Sequence, residues 1–481
     1  MVGFMLSKYL FNGKFYELLD NDFVPECNAY TVIIGRNGVG KSEFFRSLIK
    51  DLVLGNRKQN FHDDVGFDSS MFSIVIASST TPFDKFWMNG EIEAVENDGY
   101  YKYLGMKGLD SRNISHSHLS ASFGNIIDLI NDGSLDPSKI LNVLDMLGFE
   151  SCIDVTLDMR GAEPNEVKIK NDFEGYSTRF YNDFLENKGR VLVDGVESEE
   201  FYSLFGFFVS KAPLSNLRQL LRDSMWFSFR NENKVLQDMS RDDLGKSLMA
   251  VLAYSSLKTN YINMKITKDG VVSDKDDKEI NAEFSYFIKL GLGKVKDVVF
   301  RKKQSDRGFE ISRASSGEQS IIVSFLLISS VIKDNALILI DEPEVCLHPE
   351  WQERYIGQLM AMFDGYKGCQ FIIATHSPLI VSKLKDDNCF VLSMEERVAR
   401  PAREFNNRSV DFQLAEVFDS PGFKNEYLGR IATNIFIKVS KGAPLSDEEV
   451  SGLYSLDKAF NFLSDEDPVR DVIQAIKEMR E

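Results

Sequence analysis

Two adjacent acids that follow a short apolar segment are the residues of this sequence best suited to phosphate chemistry. Residues 336–340 read ALILI and are followed directly by Asp341 and Glu342. A short run of branched apolar residues is typical of a strand buried on both faces of a parallel sheet, and such sheets bind ligands at the carboxyl ends of their strands. We therefore predict that Asp341 binds Mg²⁺, directly or through water. Glu342 is predicted to activate the water that attacks a γ-phosphate, with Glu344 as the alternative base.

A phosphate-binding loop near the start of the sequence supports this interpretation. Residues 35–42 read GRNGVGKS and match the G-x-x-x-x-G-K-[ST] pattern, between a predicted strand at 30–34 and a predicted helix at 43–54. Backbone N–H groups of such a loop surround phosphates, and the helix N-terminus adds partial positive charge. Lys41 is expected to reach the β- and γ-phosphates of ATP, and Ser42 to bind Mg²⁺. The predicted nucleotide-binding residues of the loop are Asn37, Gly38, Val39, Gly40, Lys41 and Ser42.

Two further motifs lie on either side of the acids. Residues 315–319 read SSGEQ and, just before the strand of the acids, resemble the LSGGQ-like signature of ABC ATPases. Residues 375–378 read THSP after a predicted strand at 371–374 and resemble the switch-histidine motif of the same superfamily. The resemblance implies that the signature contacts the γ-phosphate of ATP held by another subunit, and that His376 senses the γ-phosphate. The signature residues assigned to this contact are Ser316, Gly317 and Glu318.

One residue of the ABC pattern has no counterpart here. ABC enzymes place a glutamine that orients water and metal after the strand that follows the phosphate-binding helix. In this chain the predicted strand at 71–77 is followed by SSTTPFDKF, which contains no glutamine. The candidates for its replacement are Ser78, Ser79 and Asp84.

Composition restricts the possible partners and the compartment. The five cysteines show no paired spacing, which is typical of a reducing cytosol and argues against disulfides and structural zinc. The longest apolar-rich run, residues 320–332, is too short to span a bilayer, so we expect a soluble cytoplasmic protein without membrane contact. The net charge of −17 disfavours nucleic acid, so that any such contact is expected to be weak or indirect.

A local concentration of basic residues provides one possible contact with DNA. Its alternative interpretation is a solvated face of a hairpin, since charge runs are common on exposed surfaces. We call these residues the basic segment: Lys289, Lys294, Lys296, Arg301, Lys302, Lys303, Arg307 and Arg313.

The predicted fold class is α/β, an ABC-ATPase head with an inserted, mainly helical lobe. Apolar residues at helical spacing around 123–130 and 140–147 predict two helices of the lobe, and alternation at 153–159 predicts a strand. Heptads do not persist, so a long coiled coil is not expected. The predicted divisions are residues 1–118 and 299–400 for the head, 119–298 for the lobe and 401–481 for a C-terminal helical segment.

The motifs, together with the LHP turn at 347–349, resemble the OLD/RecF-like branch of ABC ATPases. Within that branch, residues 82–86, 100–105 and 409–423 are similar to the ATPase subunits of Septu-type and retron-associated antiphage systems. The resemblance implies an ATP- and Mg²⁺-dependent homodimer or higher homo-oligomer, with ATP at the interface. It also implies control of a separate effector nuclease of the HNH class.

Three alternative functions remain open from the sequence. A DNA-repair clamp resembling RecF would act directly on DNA through a continuous basic groove. A PARIS-type scaffold would hold a Toprim effector, and a nucleotide-bound scaffold would keep every motif but barely hydrolyse ATP. An intrinsic nuclease is not expected, because the acids at 465–467 follow a helical pattern and are predicted to cap a helix rather than bind metal.

Overall fold

One unit of the chain is inserted into another. Unit 1 comprises Met1–Leu109 and Ser315–Glu481, and unit 2 comprises Asp110–Ala314. The computed structural model describes residues 5–20, 23–24, 27–36, 38–54, 72–81, 83–88, 100–105, 114–131, 133–158, 209–210, 212–223, 239–255, 261–273, 294–303, 308–311, 316–345 and 347–480.

The strands and helices of these residues follow one another in a mixed order. The strands are β1 (Lys8–Phe11), β2 (Lys14–Glu17), β3 (Ala29–Ile34), β4 (Ile74–Ser79), β5 (Tyr101–Tyr103), β6 (Ile153–Asp158), β7 (Tyr261–Thr267), β8 (Gly270–Ser273), β9 (Lys294–Arg301), β10 (Gly308–Glu310), β11 (Ala336–Asp341), β12 (Gln370–Ala374), β13 (Cys389–Ser393) and β14 (Ala399–Pro401). The helices are α1 (Lys41–Leu54), α2 (Ile114–Asn131), α3 (Pro137–Met146), α4 (Leu214–Asp223), α5 (Arg241–Ser255), α6 (Ser316–Val331), α7 (Pro349–Phe363), α8 (Pro378–Ser382), α9 (Glu426–Ser440), α10 (Asp447–Phe460) and α11 (Pro468–Arg480). Shorter helical turns lie at Ala402–Glu404, Val410–Phe412 and Gln413–Val417.

The central sheet of unit 1 has the order β14-β13-β3-β12-β11-β4-β5 within the described residues. Neighbouring strands are parallel except for the antiparallel pair of β13 and β14. The register pairs Asp341 with Ala374 on one side and with Ser79 on the other. Because parallel strands end at the same edge of a sheet, the segments after β3, β4, β11 and β12 emerge side by side. The arrangement confirms the α/β class with a central sheet.

Helix α1 is fixed to the sheet by large apolar side chains. Phe44 and Phe45 of the helix are fully buried, in a cluster that also contains Leu337 and Ile372 of the sheet. Complete burial of such a side chain stabilises the fold by about 1.5–3 kcal/mol. The packing holds the first residue of the helix, Lys41, at the carboxyl edge of the strands.

Helix α6 is buried on nearly all sides. Residues 320–330 are buried throughout, which is typical of a helix that is apolar all round. Its polar groups find partners nearby: the hydroxyl oxygens of Ser324 and Ser78 lie 2.9 Å apart, and the Ser329 hydroxyl donates to the Phe325 carbonyl at 2.7 Å. Because these hydroxyls are hydrogen-bonded, the helix can be buried without leaving unpaired polar groups at these positions.

The C-terminal helices α9, α10 and α11 share an apolar core. Leu428, Leu456 and Ile473 are nearly or completely buried in it. Helix α10 begins with a reciprocal capping box, in which the Ser446 hydroxyl accepts the Glu449 N–H at 3.4 Å and the Glu449 carboxylate accepts the Ser446 N–H at 2.8 Å. Both N–H groups at the start of this helix are therefore hydrogen-bonded.

One of the acids at 465–467, Asp467, is used for helix capping. The carboxylate of Asp467, which immediately precedes α11, is fully buried. It accepts the N–H of Val469 at 2.9 Å and the N–H of Lys424 at 2.8 Å. These contacts agree with the helix-cap interpretation of this segment.

Unit 2 contains a sheet as well as helices. Within the described residues its order is β10-β9-β6-β7-β8, and every pair is antiparallel. The prediction of a mainly helical lobe is therefore not confirmed. Strand β6 alternates between buried and half-buried residues, as its sequence predicted. Strands β7 and β9 contain lysines among their apolar residues. Contacts such as that of Thr156 with Asn263 join residues 107 positions apart, which local periodicity does not reveal.

The boundaries predicted for the lobe fall within elements of unit 2. Positions 118 and 119 lie inside α2, and positions 298 and 299 lie inside β9. The strand at 294–301 pairs with β6 through contacts that include Val155 with Val298. No helix within the described ranges is both long and apolar enough to cross a membrane.

Candidate nucleotide-binding site

The predicted site residues collect at the carboxyl edge of the central sheet. Lys41 is the first residue of α1, Asp341 is the last residue of β11, and His376 follows β12 by two positions. Gly38 and Gly40 have φ angles of 79° and 102°, in a region that favours glycine and lets the loop before α1 turn tightly. Asn37 lies outside the described residues, and Val39 and Ser42 are partly buried.

The Lys41 ammonium is bound from two sides. Its Nζ donates to the Gly35 carbonyl at 3.0 Å and lies 2.6 Å from Nε2 of His376. An ammonium group can only donate, so Nε2 must accept, and the imidazole is neutral with its proton on Nδ1. Burial, together with the smaller effect of the Lys41 charge, lowers the pKa of His376 to about 4. Burial also lowers the pKa of Lys41, against the opposing charges of Glu342 and Asp341.

Asp341 has the properties of an incomplete metal ligand. It is 4% exposed, it accepts a hydrogen bond from the Ser42 side chain, and its Oδ1 is buried without a hydrogen-bond partner among the described residues. Burial raises the pKa of the carboxyl group to about 7, while the Ser42 hydrogen bond and the Lys41 charge oppose the rise. A free carboxylate oxygen beside a hydroxyl offers Mg²⁺ the hard ligands it prefers. These residues therefore fit the ion predicted for the site.

The remaining ligands of such an ion would come from phosphates and water. In the described part of the chain, no group of three or more His, Cys, Asp or Glu side chains could hold a metal ion. Mg²⁺ in nucleotide sites is commonly held by one or two side chains together with phosphate oxygens. Ser42 and Asp341 correspond to that pattern.

The backbone of Glu342 is fixed, while its carboxylate remains accessible. Glu342 has a φ of 48°, unusual for a residue with a side chain. Its N–H donates to the Ala374 carbonyl at 2.9 Å, and its carbonyl accepts from the Thr80 hydroxyl at 3.3 Å. The side chain is 37% exposed, and its Oε1 lies 3.9 Å from Nε2 of His376. An accessible carboxylate beside the phosphate-binding lysine has the location that a base requires.

Glu344 contacts the histidine segment in a way that the sequence did not predict. One carboxylate oxygen accepts the backbone N–H of His376, and Thr375 contributes a side-chain hydrogen bond. The other oxygen, Oε2, is buried without a partner among the described residues. Burial raises the pKa of this carboxyl group, and the hydrogen bonds from His376 and Thr375 oppose the rise. The sequence signal that pointed to Glu344 was its position two residues after Glu342, which made it the alternative base.

The three candidates for the missing glutamine differ in their surroundings. The Ser78 hydroxyl is engaged with Ser324 of α6. Ser79 lies directly beside Asp341 in the sheet register. The Asp84 carboxylate accepts from the Tyr103 hydroxyl at 2.6 Å, and its charge contributes to raising the pKa of Asp341. Ser79, through the sheet register, and Asp84, through its charge, are therefore each linked to Asp341, whereas the Ser78 hydroxyl is engaged with α6.

The signature residues form the first turn of α6. Ser316 is the first residue of the helix, Gly317 is buried, and Glu318 is the acid of the first turn. An acid in this turn is favourable beside the positive end of the helix dipole. Their contact with a nucleotide on another subunit remains a prediction.

The described part of the basic segment is largely engaged with acidic or aromatic partners. Arg301 pairs with Asp154 at 2.8 Å, and Lys303 pairs with Asp145 at 2.6 Å. Lys296 lies 4.0 Å above the ring of Tyr261. Such pairs reduce the positive potential available to phosphates.

Comparisons with known proteins identify relatives for most of the chain. A family model described as "AAA domain, putative AbiEii toxin, Type IV TA system" matches residues 186–382, which contain the acids after β11 and His376. "Retron Ec83 probable ATPase" of Escherichia coli is 23% identical over 437 residues, covering 82% of this chain and 72% of that protein. "Retron Vc95 probable ATPase" of Vibrio cholerae is 21% identical over 388 residues, with 76% and 68% covered.

"Septu protein PtuA" of Bacillus thuringiensis is 22% identical over 284 residues, covering 56% of this chain and 63% of that protein. The chain is similar to these ATPases over much of its length. The relationship confirms the resemblance to retron and Septu ATPases that the motifs predicted, and it supports an ATPase of the antiphage-defence type. It also supports nucleotide binding and ATP hydrolysis by an α/β domain with a phosphate-binding loop.

Proposed function

We propose that this protein is the ATPase subunit of a bacterial antiviral defence system and that it controls a separate effector nuclease of the HNH class. Control operates through an ATP-dependent homodimer or higher homo-oligomer. The observation that carries the proposal is the convergence of Lys41, Asp341 and His376 at one sheet edge, in a relative of retron ATPases and PtuA. The names of these relatives support a partner protein, because they belong to multi-component systems.

Hydrolysis would use the chain's own residues in separate roles. Lys41 would exchange its contact with His376 for the β- and γ-phosphates. Once Nε2 of His376 no longer accepts from Lys41, the neutral imidazole can carry its proton on Nε2 instead of Nδ1 and donate it to a γ-phosphate oxygen. Ser42 and Asp341 hold Mg²⁺, which neutralises phosphate charge when bound. The Glu342 carboxylate orients the attacking water and accepts its proton. The short distance between Lys41 and His376 supports this exchange, because a phosphate oxygen can replace the imidazole as acceptor.

The second half of each site is proposed to come from another copy of the chain. The turn at Ser316, Gly317 and Glu318 would contact the γ-phosphate across the interface. ATP would then join two subunits, and its hydrolysis would remove the contact that joins them. The effector would respond to that change between two states.

Direct binding of DNA is proposed to be weak. The net charge of −17 opposes it, and the ion pairs of Arg301 and Lys303 reduce the charge available in the basic segment. The inserted lobe, residues 119–298 in the sequence-based division, is the proposed docking element for the effector.

Purification with the native neighbour tests the proposal. The protein is expressed together with the product of the adjacent gene of its operon, captured by a tag, and assayed for nuclease activity with and without ATP. We expect the neighbour to be retained and its nuclease activity to change with ATP. The matched control is Lys41→Ala, for which the activity should no longer depend on ATP.

A contrary result would be equally clear. If the neighbour is not retained, and the isolated chain binds duplex DNA tightly at high salt, the DNA-repair clamp replaces the proposed regulator.

A further inference from the structure

His376 is held through its backbone as well as through its imidazole. The Thr375 N–H donates to the Ile33 carbonyl at 3.1 Å and makes the last contact of this segment with β3. The next N–H along the chain, that of His376, donates to Oε1 of Glu344 at 2.5 Å. Glu344 therefore fixes the direction of the backbone at His376, just after β12 ends.

A second side chain supports the following residue. Gln352 of α7 donates from Nε2 to the Leu347 carbonyl at 3.0 Å, and its Oε1 accepts from the Ser377 hydroxyl at 2.8 Å. Ser377 is also the N-cap residue of α8. The segment at 375–377 is thus tied at consecutive residues to the segment that follows the acids of β11.

We propose that Glu344, assisted by Gln352, is a positioning residue that fixes the backbone of His376 so that its imidazole faces Lys41 and the nucleotide. The role rests on the proposed function, because the nucleotide contact of His376 is part of it. A histidine that is already in position reorganises little when a phosphate binds. Small displacements of such groups can reduce turnover about 100-fold.

The surroundings of Glu344 suit a support better than a base. One oxygen is occupied by the backbone N–H of His376, and the other is buried without a described partner. A base must come within about 2.6–3.2 Å of the water whose proton it takes, directly or through one further water. Glu342, which is 37% exposed, meets that requirement more readily. The two acids therefore have different roles: Glu342 acts on the attacking water, and Glu344 positions the backbone of the histidine segment.

Two substitutions at position 344 separate positioning from proton transfer. Glu344→Gln keeps an oxygen that accepts the His376 N–H but cannot act as a base, whereas Glu344→Ala removes the acceptor. We expect Glu344→Ala to lower kcat about 10- to 100-fold with less than about a threefold change in the Kd for ATP. Glu344→Gln should restore most of the activity. If both variants lose hydrolysis to the same extent as Glu342→Gln, Glu344 is a base and the proposal is wrong.

A second readout does not depend on turnover. The His376 imidazole is titrated by NMR in the nucleotide-free protein, with His376→Gln to assign its signal. In the wild type, burial and Lys41 hold the pKa of His376 at about 4. Loss of the Glu344 contact should release the ring from Lys41 and raise the pKa toward its ordinary value, whereas Glu344→Gln should keep it low. Glu342, whose Oε1 lies 3.9 Å from Nε2 of the ring, is a further charged group near it and is unchanged in both variants.

The two readouts also separate this inference from the proposed function. Absence of ATP hydrolysis by the wild type would contradict the proposed function, while the titration would still decide whether Glu344 positions the ring. An unchanged pKa of His376 in Glu344→Ala would overturn the positioning role. Glu350→Ala removes an exposed acid of the same region, which pairs with Arg354, and should change neither measurement.

Discussion

At the scale of residues, burial is the dominant influence on the charged groups of the site. It lowers the pKa of Lys41 and raises the pKa values of Asp341 and Glu344, in each case disfavouring the charged form. Groups shifted in this way are typical of functional sites. A nucleotide with Mg²⁺ would bring negative charge to Lys41 and positive charge to Asp341, so binding would offset part of the cost of burying them.

The first prediction separates binding from hydrolysis. Glu342→Gln should retain ATP binding but lose hydrolysis by about two orders of magnitude or more, because an amide cannot accept the proton of the attacking water. Lys41→Ala is the control and should lose binding itself. Binding of a fluorescent ATP analogue and release of phosphate measure the two properties. Hydrolysis by Glu342→Gln at the wild-type rate would contradict the assignment of the base.

The second prediction concerns the pH dependence of stability in metal-free, nucleotide-free buffer. The pKa of Asp341 is raised from 3.8 to about 7 by burial. Between these values the unfolded chain loses the proton and the folded chain keeps it, so the contribution of Asp341 to stability falls as pH rises and is constant above about 7. The effect is about 1.4 kcal/mol for each unit of pKa shift.

Asp341→Asn removes this titration. The melting temperature of Asp341→Asn minus that of the wild type should therefore be more positive at pH 8 than at pH 5, since Asn cannot ionise. Thermal unfolding with a chelator at both values measures the difference. Equal differences in melting temperature at pH 5 and pH 8 would show that the carboxyl group does not titrate in this range.

At the scale of elements, the ends of strands and the starts of helices bring the reactive groups together. Asp341 ends β11 and Lys41 starts α1. The connection between α10 and α11 also contacts the phosphate-binding loop, because the Arg36 guanidinium carbon lies 4.4 Å from the ring centroid of Phe462. Contacts of this kind are worth about 0.5–2 kcal/mol. The packing of α9, α10 and α11 holds the two ends of this connection.

The third prediction tests that packing. Ile473 of α11 is 2% exposed, whereas Met479 of the same helix is 50% exposed. Ile473→Ala should lower the free energy of unfolding by about 2–5 kcal/mol, because it removes buried methyl groups and leaves a cavity. Met479→Ala is the matched control and should change it by less than about 0.5 kcal/mol. Urea unfolding followed by circular dichroism measures both; equal losses would contradict the buried location of Ile473.

At the scale of the whole molecule, the proposed assembly would require both the signature turn and the phosphate-binding loop. Lys41 and Asp341 would act on the same nucleotide from the edge of one sheet. The first turn of α6 carries Ser316, which is proposed to act on the nucleotide of the other subunit. A symmetric pair of chains would then contain two shared sites.

The fourth prediction is complementation between two inactive subunits. Lys41→Ala should fail in its own phosphate-binding loop, and Ser316→Arg should fail in the half-site it offers to its partner. A mixture of the two should regain ATP hydrolysis, because each heterodimer contains one site in which both halves are intact. The expected rate per mixed dimer is about half that of the wild type if the sites act independently.

Subunit exchange must be verified in the same samples by differently labelled chains. A mixture that exchanges but stays inactive would contradict independent shared sites. A cysteine crosslink between position 316 and the opposing loop would then distinguish the absence of a shared site from strict coupling of two sites.

The sequence by itself determined those features that depend on neighbouring residues. The loop at 35–42 lies between a strand and a helix, and the acids follow a strand, as their local patterns predicted. Helix starts such as Ser446 were also predictable, because a cap and the N–H groups it satisfies lie within three positions. Local spacing was sufficient for these features because the atoms that interact are close in the chain.

Only the tertiary structure decided which distant groups meet. Lys41 and His376 are 335 positions apart, and their contact depends on the register of β3, β12 and β11 rather than on either motif. The contact of Glu344 with the His376 backbone has the same origin. The sequence did not predict the sheet of unit 2, because its strands pair residues that are far apart in the chain. Register and burial are properties of the assembled fold, and they determine that Glu342 is accessible whereas Glu344 accepts the His376 N–H.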